Sequence, residues 1–388
     1  MVSGAKRRAL VIGGGIGGLS AALALRQVGM DVQVFEAVEQ VKEVGAGVTV
    51  WSNAVRALQK LGLADALQAI GMPAKYRIVD TWRGELLSRI QVDQLAGGLG
   101  AAILVVHRAQ LQAALLQAYG EANIELGARC VSCTQDQEAV RVQFADGREV
   151  EGDVLIASDG IRSMMRAQLF GDKPLRYAGY ATWRGIAALE DENITPGVSS
   201  ETWGRGSRIG LLPLNNGRMY WFAGKNMSAG ERKDDTAEQK KQLLRDLFRG
   251  WHAPIEAVIE ATDPATIIRA DVYELEPLQH WSKGRVTLLG DAAHAMTPNM
   301  GQGACQAIED AVVLGSCMKE EYDVLAALRL YEAKRLKRVE RVATQSRRIG
   351  WLSQLENPFA CDLRDALVKR LYTPLLSKEL DWLLSFEP

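Results

Sequence analysis

The stretch that most restricts the fold is ALVIGGGIGGLSAALAL, residues 9–25. An apolar run ends at Gly13-x-Gly15-x-x-Gly18, and an Ala/Leu-rich helical pattern continues to Gly29. DVQVF (31–35) reads as a second strand, with Glu36 directly after it. The spacing predicts a βαβ unit. In such a unit the first glycine permits a tight turn. The second lets a pyrophosphate approach the backbone, and the third lets helix and strand pack closely. The helix N-terminus then offers free N–H groups to the phosphates. Glu36, 18 residues beyond Gly18, stands where a carboxylate accepts both ribose hydroxyls. The pattern predicts a bound dinucleotide. No second fingerprint follows.

A chain of 388 residues is long for a single core, so two domains, or one with a large insertion, are expected. Apolar and charged contents of 47% and 24% are globular values, and a net charge of −1 gives no pull toward nucleic acid. The five cysteines form no paired set, which suggests a reducing, cytoplasmic setting. Cys130-x-x-Cys133 lacks the further ligands of a zinc site, and no metal site is expected. The N-terminus, MVSGAKRRALVIGGG, enters a strand without an apolar leader. No apolar run approaches the ~20 residues of a membrane span.

Along the chain, VVHRAQLQAALLQAY (105–119) is a strand leading into a helix. Val140–Phe144 and Glu149–Val150 form a hairpin across Asp146-Gly147, and DVLIA (153–157) is another strand. From about residue 177 to 226 the aromatic content rises and the pattern alternates, as in RMYWFAG, which predicts an inserted antiparallel sheet. Ala237–Trp251 reads as a helix and Thr266–Tyr273 as a strand. After Gln306 the pattern is mainly helical.

Three segments in order carry a resemblance: GGGIGGLSAALAL…VFEA, DVLIASDGIRSMMR (153–166) and GDAAHAMTPNMGQGACQAIEDAVVL (290–314). Together they resemble the FAD-dependent aromatic hydroxylases, the group A flavoprotein monooxygenases. Within that family they are most similar to the branch of urate, 3-hydroxybenzoate and salicylate hydroxylases and zeaxanthin epoxidase. The resemblance implies an α/β fold with a Rossmann-like FAD-binding domain of the p-hydroxybenzoate hydroxylase type. An inserted, mainly antiparallel β-sheet substrate domain and C-terminal helices complete it. The FAD-binding domain is expected in 1–75, 100–175 and 280–350, the substrate domain in 76–99 and 176–279, and the helical segment in 351–388.

The resemblance also implies residue roles. Gly13, Gly15, Gly17 and Gly18 form the phosphate turn, with Glu36 and Ala37 at the adenosine ribose. Arg108 lies along the pyrophosphate and ribitol, Val131 near the adenine, and Val48 and Thr49 near the flavin. Asp159 belongs to the family's Asp-Gly segment, and Asp291 binds the ribitol. Gly301, Gly303 and Ala304 present backbone N–H groups to the flavin pyrimidine edge, where reduced flavin carries negative charge and a helix start is favourable. Arg184, Arg208, Tyr220, Pro298 and Gln302 are the candidate catalytic and substrate-contacting residues. Arg208 and Tyr220 are expected near each other across two strands turned at Asn215–Gly217. Urate-hydroxylating relatives carry Asn at the place of Thr182 and Asp at that of Asn299, which argues against urate. His294 lacks a catalytic partner nearby and reads as a structural histidine.

The implied activity is NAD(P)H- and O2-dependent hydroxylation or epoxidation of an aromatic or conjugated small molecule through a flavin C4a-hydroperoxide. Alternatives are an FAD oxidase or dehydrogenase of the same fold, acting without NAD(P)H, and a non-enzymatic flavin-binding regulator. A small phenolic acid or oxidised purine suits Arg208, whereas a larger lipophilic substrate suits the Trp-rich sheet. Residues 334–348 (KRLKRVERVATQSRR) predict an amphipathic helix with a solvated basic face, suited to weak contact with a membrane surface or anionic partner. Leu352, Leu355, Phe359, Leu363, Leu367 and Trp382 predict helices that cover the core or form a homodimer face; a monomer is equally compatible.

Overall fold

The structure, a computed structural model, describes residues 6–40 and 46–388, so the start of the N-terminal segment lies outside it. The Gly-rich turn joins the strand Arg8–Ile12 to the helix Ile16–Gln27, and Asp31–Phe35 pairs in parallel with the first strand. Val154–Ala157 pairs on its other side, followed by Val286–Leu288, and Ile124–Glu125 lies beyond Asp31–Phe35, all parallel. Ser282–Lys283 completes this sheet antiparallel. Continuous apolar runs such as Val154–Ala157 suit strands covered on both faces, and all four of those side chains are buried. The Gly303–Glu320 helix packs on the first helix through small residues. A Cβ on Gly315 would lie 3.1 Å from the Ala24 carbonyl oxygen.

The inserted sheet has the order Ile268–Glu274, Arg176–Ala188, Arg218–Asn226, Ser207–Pro213, Val198–Trp203, Tyr76–Thr81, Leu86–Gln91. Its pairs are antiparallel except Val198–Trp203 with Tyr76–Thr81. Period-2 alternation divides its side chains between two faces. Trp183, Ile209, Leu211 and Trp221 pack in a core with Leu244, Val258 and Ile259 from the helices Ala237–Leu247 and Ile255–Ala261. Thr182, Arg184, Arg208, Leu212, Tyr220 and Phe222 take the opposite face, toward the nucleotide fold. The tryptophans that suggested a lipophilic substrate surface therefore divide: Trp183 and Trp221 sit in the core on the far face. The Ala237–Leu247 helix starts at a Thr236/Gln239 capping box and stops before Trp251, shorter than its pattern suggested.

The long helix Val324–Ser353 corrects the reading of its basic stretch. Arg335 and Arg338 do not face solvent. They turn inward onto Glu309 and Asp310 of the Gly303–Glu320 helix. Arg335 Nε donates to Asp310 at 2.7 Å, and Arg338 Nε donates to Glu309 at 2.8 Å. Asn53 Nδ2 also donates to Glu309, and His294 Nε2 lies 2.6 Å from Asp310. Glu309, Asp310 and Arg335 are fully buried. Phe359, Leu363 and Leu367, in the Pro358–Leu367 helix, are exposed instead of covering the core. Among the described residues no helix is long and apolar enough to cross a membrane.

Burial raises the two carboxyls, but Arg335 and Arg338 reverse this at Glu309, and His294 and Arg335 reverse it at Asp310, so both are held below the ordinary carboxylate range. A depressed folded-state value contributes stability above the unfolded value, and that stability is lost as pH falls through the folded one. Removing one partner of a buried pair costs about 3–5 kcal/mol. Arg335→Met is therefore expected to lower stability by that order at neutral pH, measured by denaturant unfolding. On acidification below the ordinary carboxylate range, wild type should lose stability more steeply than Arg335→Met. Parallel acid profiles would contradict this account of the cluster.

Candidate functional site

A cavity of about 430 Å³ lies where the parallel sheet, the loop after Leu289 and the inserted sheet meet. The Gly-rich turn contributes Gly15 and Gly17, the strand Gly47–Val50 contributes Val48 and Thr49, and Arg108 stands at the start of the helix Arg108–Tyr119. Asp291, Pro298, Gly301, Gly303 and Ala304 form the loop side. Arg184, Arg208 and Tyr220 come from the inserted sheet.

Two helices begin at this cavity without side-chain caps. One starts at Ile16 after Gly15, the other at Gly303 after Gln302. Their orphan N–H groups and dipole ends favour anionic groups from two directions. Gly15 is open, since a Cβ there would meet nothing within 4 Å, whereas Gly18 is closed, since a Cβ would lie 1.9 Å from the Gly13 carbonyl oxygen. Gly301 adopts φ +63°, left-handed backbone that favours glycine. Arg108 and Asp291 both line the cavity; burial lowers the Arg108 pKa, and the Asp291 carboxylate opposes that shift. An open glycine, two uncapped helix starts and a cation and an anion on the lining fit a flavin dinucleotide.

The inserted-sheet wall follows strand register. Arg208 opposes Gly224 and Leu212 opposes Tyr220. Arg208 and Tyr220 therefore share a face but stand four residues apart along it, with Phe222 between, rather than side by side. Gly210, opposite Phe222, makes room for that ring: a Cβ would approach it to 2.2 Å. Burial raises the Tyr220 pKa, so the phenol stays neutral. Arg208 is 1% exposed and already engaged. Its Nη1 donates to Glu201 at 2.8 Å, and its Nη2 donates to Asn299 Oδ1. Tyr180 also donates to Asn299 Oδ1, at 2.9 Å, and Asn299 Nδ2 donates to the Ser346 carbonyl. Burial works against both charges, but Glu201 raises the Arg208 pKa and Arg208, with Arg77, lowers that of Glu201, so both remain ionised. Arg184 has no hydrogen-bond or ion-pair partner among the described residues.

Other candidates lie outside the cavity wall. Gly13 and Gly18 pack the turn against Ser158 and each other. Glu36 accepts from the N–H groups of Gly14 and Val38, and Ala37 is exposed. Val131 is 43% exposed on the strand Cys130–Gln135. Asp159 accepts from the Met165 N–H, and its other oxygen is buried without a partner. Gln302 is 1% exposed and faces away from the cavity. Its Oε1 accepts from Asn53 and Gln306, behind the loop, which corrects its place among the substrate-contacting candidates. His294 bonds Asp310 and not Asp291, so the Asp291/His294 spacing is not a pair. Sequence reading missed Glu201, a single carboxylate in VSSETW with no spacing signal, and the ring wall of Leu212 and Phe222.

An FAD binding domain family model matches residues 6–346. The aurachin C monooxygenase/isomerase of Stigmatella aurantiaca is 40% identical over 379 residues, 98% of each chain. An FAD-dependent urate hydroxylase of Klebsiella pneumoniae is 41% identical over 347 residues, 88% of this chain and 89% of the relative. The crystal structure of Klebsiella pneumoniae HpxO with FAD and uric acid superposes with a TM-score of 0.92 at 34% identity, covering 97% of this chain and 96% of that one.

The two glycines separate cofactor binding from folding. Gly15→Ala is expected to leave the unfolding midpoint of the flavin-free protein unchanged while weakening FAD at least about tenfold, a loss of ~1.4 kcal/mol or more. Gly18→Ala forces a backbone clash and should destabilise the flavin-free protein by about 3 kcal/mol or more. Fluorescence titration of FAD and urea unfolding of both variants check the contrast.

Proposed function

This chain belongs to the FAD-dependent aromatic hydroxylases, flavoprotein monooxygenases that take electrons from NAD(P)H, and from that premise we propose that it oxygenates a ring that enters the cavity as a neutral, largely apolar species. The observation that carries this reading is the closure of Arg208 on Glu201 and Asn299. A buried arginine beside a substrate would ordinarily attract a carboxylate or an oxidised purine. Here its charge is already balanced within the protein, and the neighbouring wall is Leu212, Tyr220, Phe222 and Pro298, with Arg184 the one unpaired cation of this sheet face among the described lining residues. The reading accordingly turns away from urate, the substrate named for the Klebsiella relatives, and toward an electron-rich ring or conjugated system without a strong negative charge.

The reaction consumes the substrate, O2, NAD(P)H and a proton, and yields the oxygenated substrate, NAD(P)+ and water. Bound FAD supplies the electron relay and the activation of O2. The protein's part is binding, orientation and water exclusion. The helix start at Gly303 would present the free N–H groups of Gly303 and Ala304 to the negative charge of the reduced cofactor, whereas the expected Gly301 N–H is already bonded to the Pro298 carbonyl. Arg108 and Asp291 hold its polar chain. Pro298 has no N–H and leaves no unsatisfied donor facing the ring. Leu212, Phe222 and Tyr220 keep water from the reacting atoms, and the neutral Tyr220 hydroxyl orients a ring oxygen.

Substrate-dependent NAD(P)H oxidation with one atom of 18O2 retained in the product is the decisive measurement. Turnover without NAD(P)H, or without label, would return an oxidase or dehydrogenase. The charge argument is checked by Glu201→Gln, which leaves Arg208 uncompensated. Because hydrogen bonds to charged groups contribute about 1.5–3 kcal/mol, its binding preference should move about tenfold from phenols toward aromatic carboxylates. An unchanged preference would mean that Arg208 does not set substrate charge.

A further inference from the structure

A second cavity of about 100 Å³ adjoins the first. Thr49, Leu212, Phe222, Pro298 and Gly301 line both, so the two spaces meet at the place assigned to the ring. Beyond that junction the chamber is walled by Ala74, Val92, Ile103 and Val105, all buried, with Met300 on the loop side. Two of the polar groups that border it are already bonded to the protein, while the Trp51 indole N–H, beside Gly301 at the junction, is buried without a partner among the described residues. Glu201 is held by Arg208, Arg77 and the Trp203 indole, and Asn299 by Arg208, Tyr180 and Ser346. Past the Trp51 N–H at the junction, the walls of Ala74, Val92, Ile103 and Val105 offer a polar substituent no side-chain donor or acceptor. Only the outer end, at Arg77, Ser199 and Ser200, is partly open to solvent.

An apolar chamber that opens from a reaction cavity has a definite chemical complement. A charged substituent would lose its hydration against walls of Ala74, Val92, Ile103 and Val105. A linear hydrocarbon chain loses little on leaving water and gains contacts along its whole length. Met300, unbranched and adaptable, can shift to follow chains of different shape. We propose that this chamber receives an alkyl or alkenyl chain carried by the ring that is oxygenated, and that Ala74, Val92 and Ile103 set how long that chain can be. The inference rests on the reading of a neutral, apolar ring above and names its substituent. Anchoring the chain would fix which ring carbon faces the cofactor, so the chamber would govern regiochemistry as well as affinity.

The test is equilibrium binding to the FAD-loaded protein without NAD(P)H, read from perturbation of the flavin absorbance. The probes are phenols and 4-hydroxyquinolines bearing hydrogen, methyl, butyl or heptyl. Kd is expected to fall roughly three- to fourfold for each added methylene, the factor equivalent to ~0.8 kcal/mol, until the chamber is full. Ala74→Trp fills the space and should abolish the chain-length dependence. Val92→Ala enlarges it and should move the levelling point to longer chains. Affinity that does not rise with chain length in either series overturns the proposal. So does a rise that both variants leave intact, because that would reflect general hydrophobic partition. If Ala74→Trp fails to retain FAD, the direction of the Val92→Ala shift decides. Chain-dependent binding without substrate-stimulated NAD(P)H oxidation would defeat the oxygenation reading and leave the chamber standing. Oxygenation of the rings without chain dependence would do the reverse.

Discussion

The buried cluster of Glu309, Asp310, Arg335 and Arg338 holds the cofactor loop in place. Its carboxylates sit on the Gly303–Glu320 helix, whose first turn faces the cavity, and its arginines sit on the long C-terminal helix. Asp310 also accepts from the Gly290 N–H and pairs with His294, so one carboxylate fixes the start of the loop and the helix that follows it. Asn53 and Gln302 join through Glu309 and each other. Such a cluster is costly to desolvate and adds little net stability over apolar packing. Its value lies in geometry: each charge has partners in one arrangement, and that arrangement leaves the N–H groups of Gly303 and Ala304 free at the cavity, while the Gly301 N–H is taken by the Pro298 carbonyl.

A smaller version of the same physics sets the character of the substrate site. Arg208, Glu201 and Asn299 form a closed set of charges and hydrogen bonds between the inserted sheet and the loop. An arginine whose charge is balanced inside the protein positions structure more than it selects anions. Once the network is closed, the wall beside it is Leu212, Tyr220, Phe222 and Pro298, with Arg184, unpaired among the described residues, next to Phe222 on the same face, and the adjoining chamber extends the apolar part of that wall. The neutral ring and the apolar chain proposed above thus rest on one feature, the pairing of Arg208 with Glu201 and Asn299.

Local signals were legible in the sequence and non-local ones were not. The glycines around Gly13–Gly18 have a geometric meaning that depends on few neighbours, and the structure shows the strand, turn and helix they predict. The period-2 pattern around RMYWFAG predicted a sheet, and register then placed Arg208 and Tyr220 on one face, but four residues apart. Glu201 could not be foreseen as the partner of Arg208, because the pair forms across strands and the carboxylate has no marked spacing. The basic stretch at 334–348 was misread because charge along one segment says nothing about acids on another. A signal was present, however: Glu309 and Asp310 are adjacent acids in the apolar run QAIEDAVVL, and buried acids require partners.

The long helix Val324–Ser353 connects these layers. At its middle Arg335 and Arg338 hold the helix that follows the loop through Glu309 and Asp310. Farther along, the Ser346 hydroxyl donates to the Thr297 carbonyl and the Ser346 carbonyl accepts from Asn299. Gly350 is small where Asn299 passes, since a Cβ there would fall 2.2 Å from Asn299 Nδ2. The helix therefore touches both ends of the segment from Gly290 to Gly303, one through buried charge and the other through close backbone approach. Asn299 transmits that contact to Arg208, and Arg208 fixes how open the ring wall is. Residues 346 and 350 thus help shape the substrate cavity without lining it, and a change at either would alter substrate choice through Asn299 before it altered the cofactor turn.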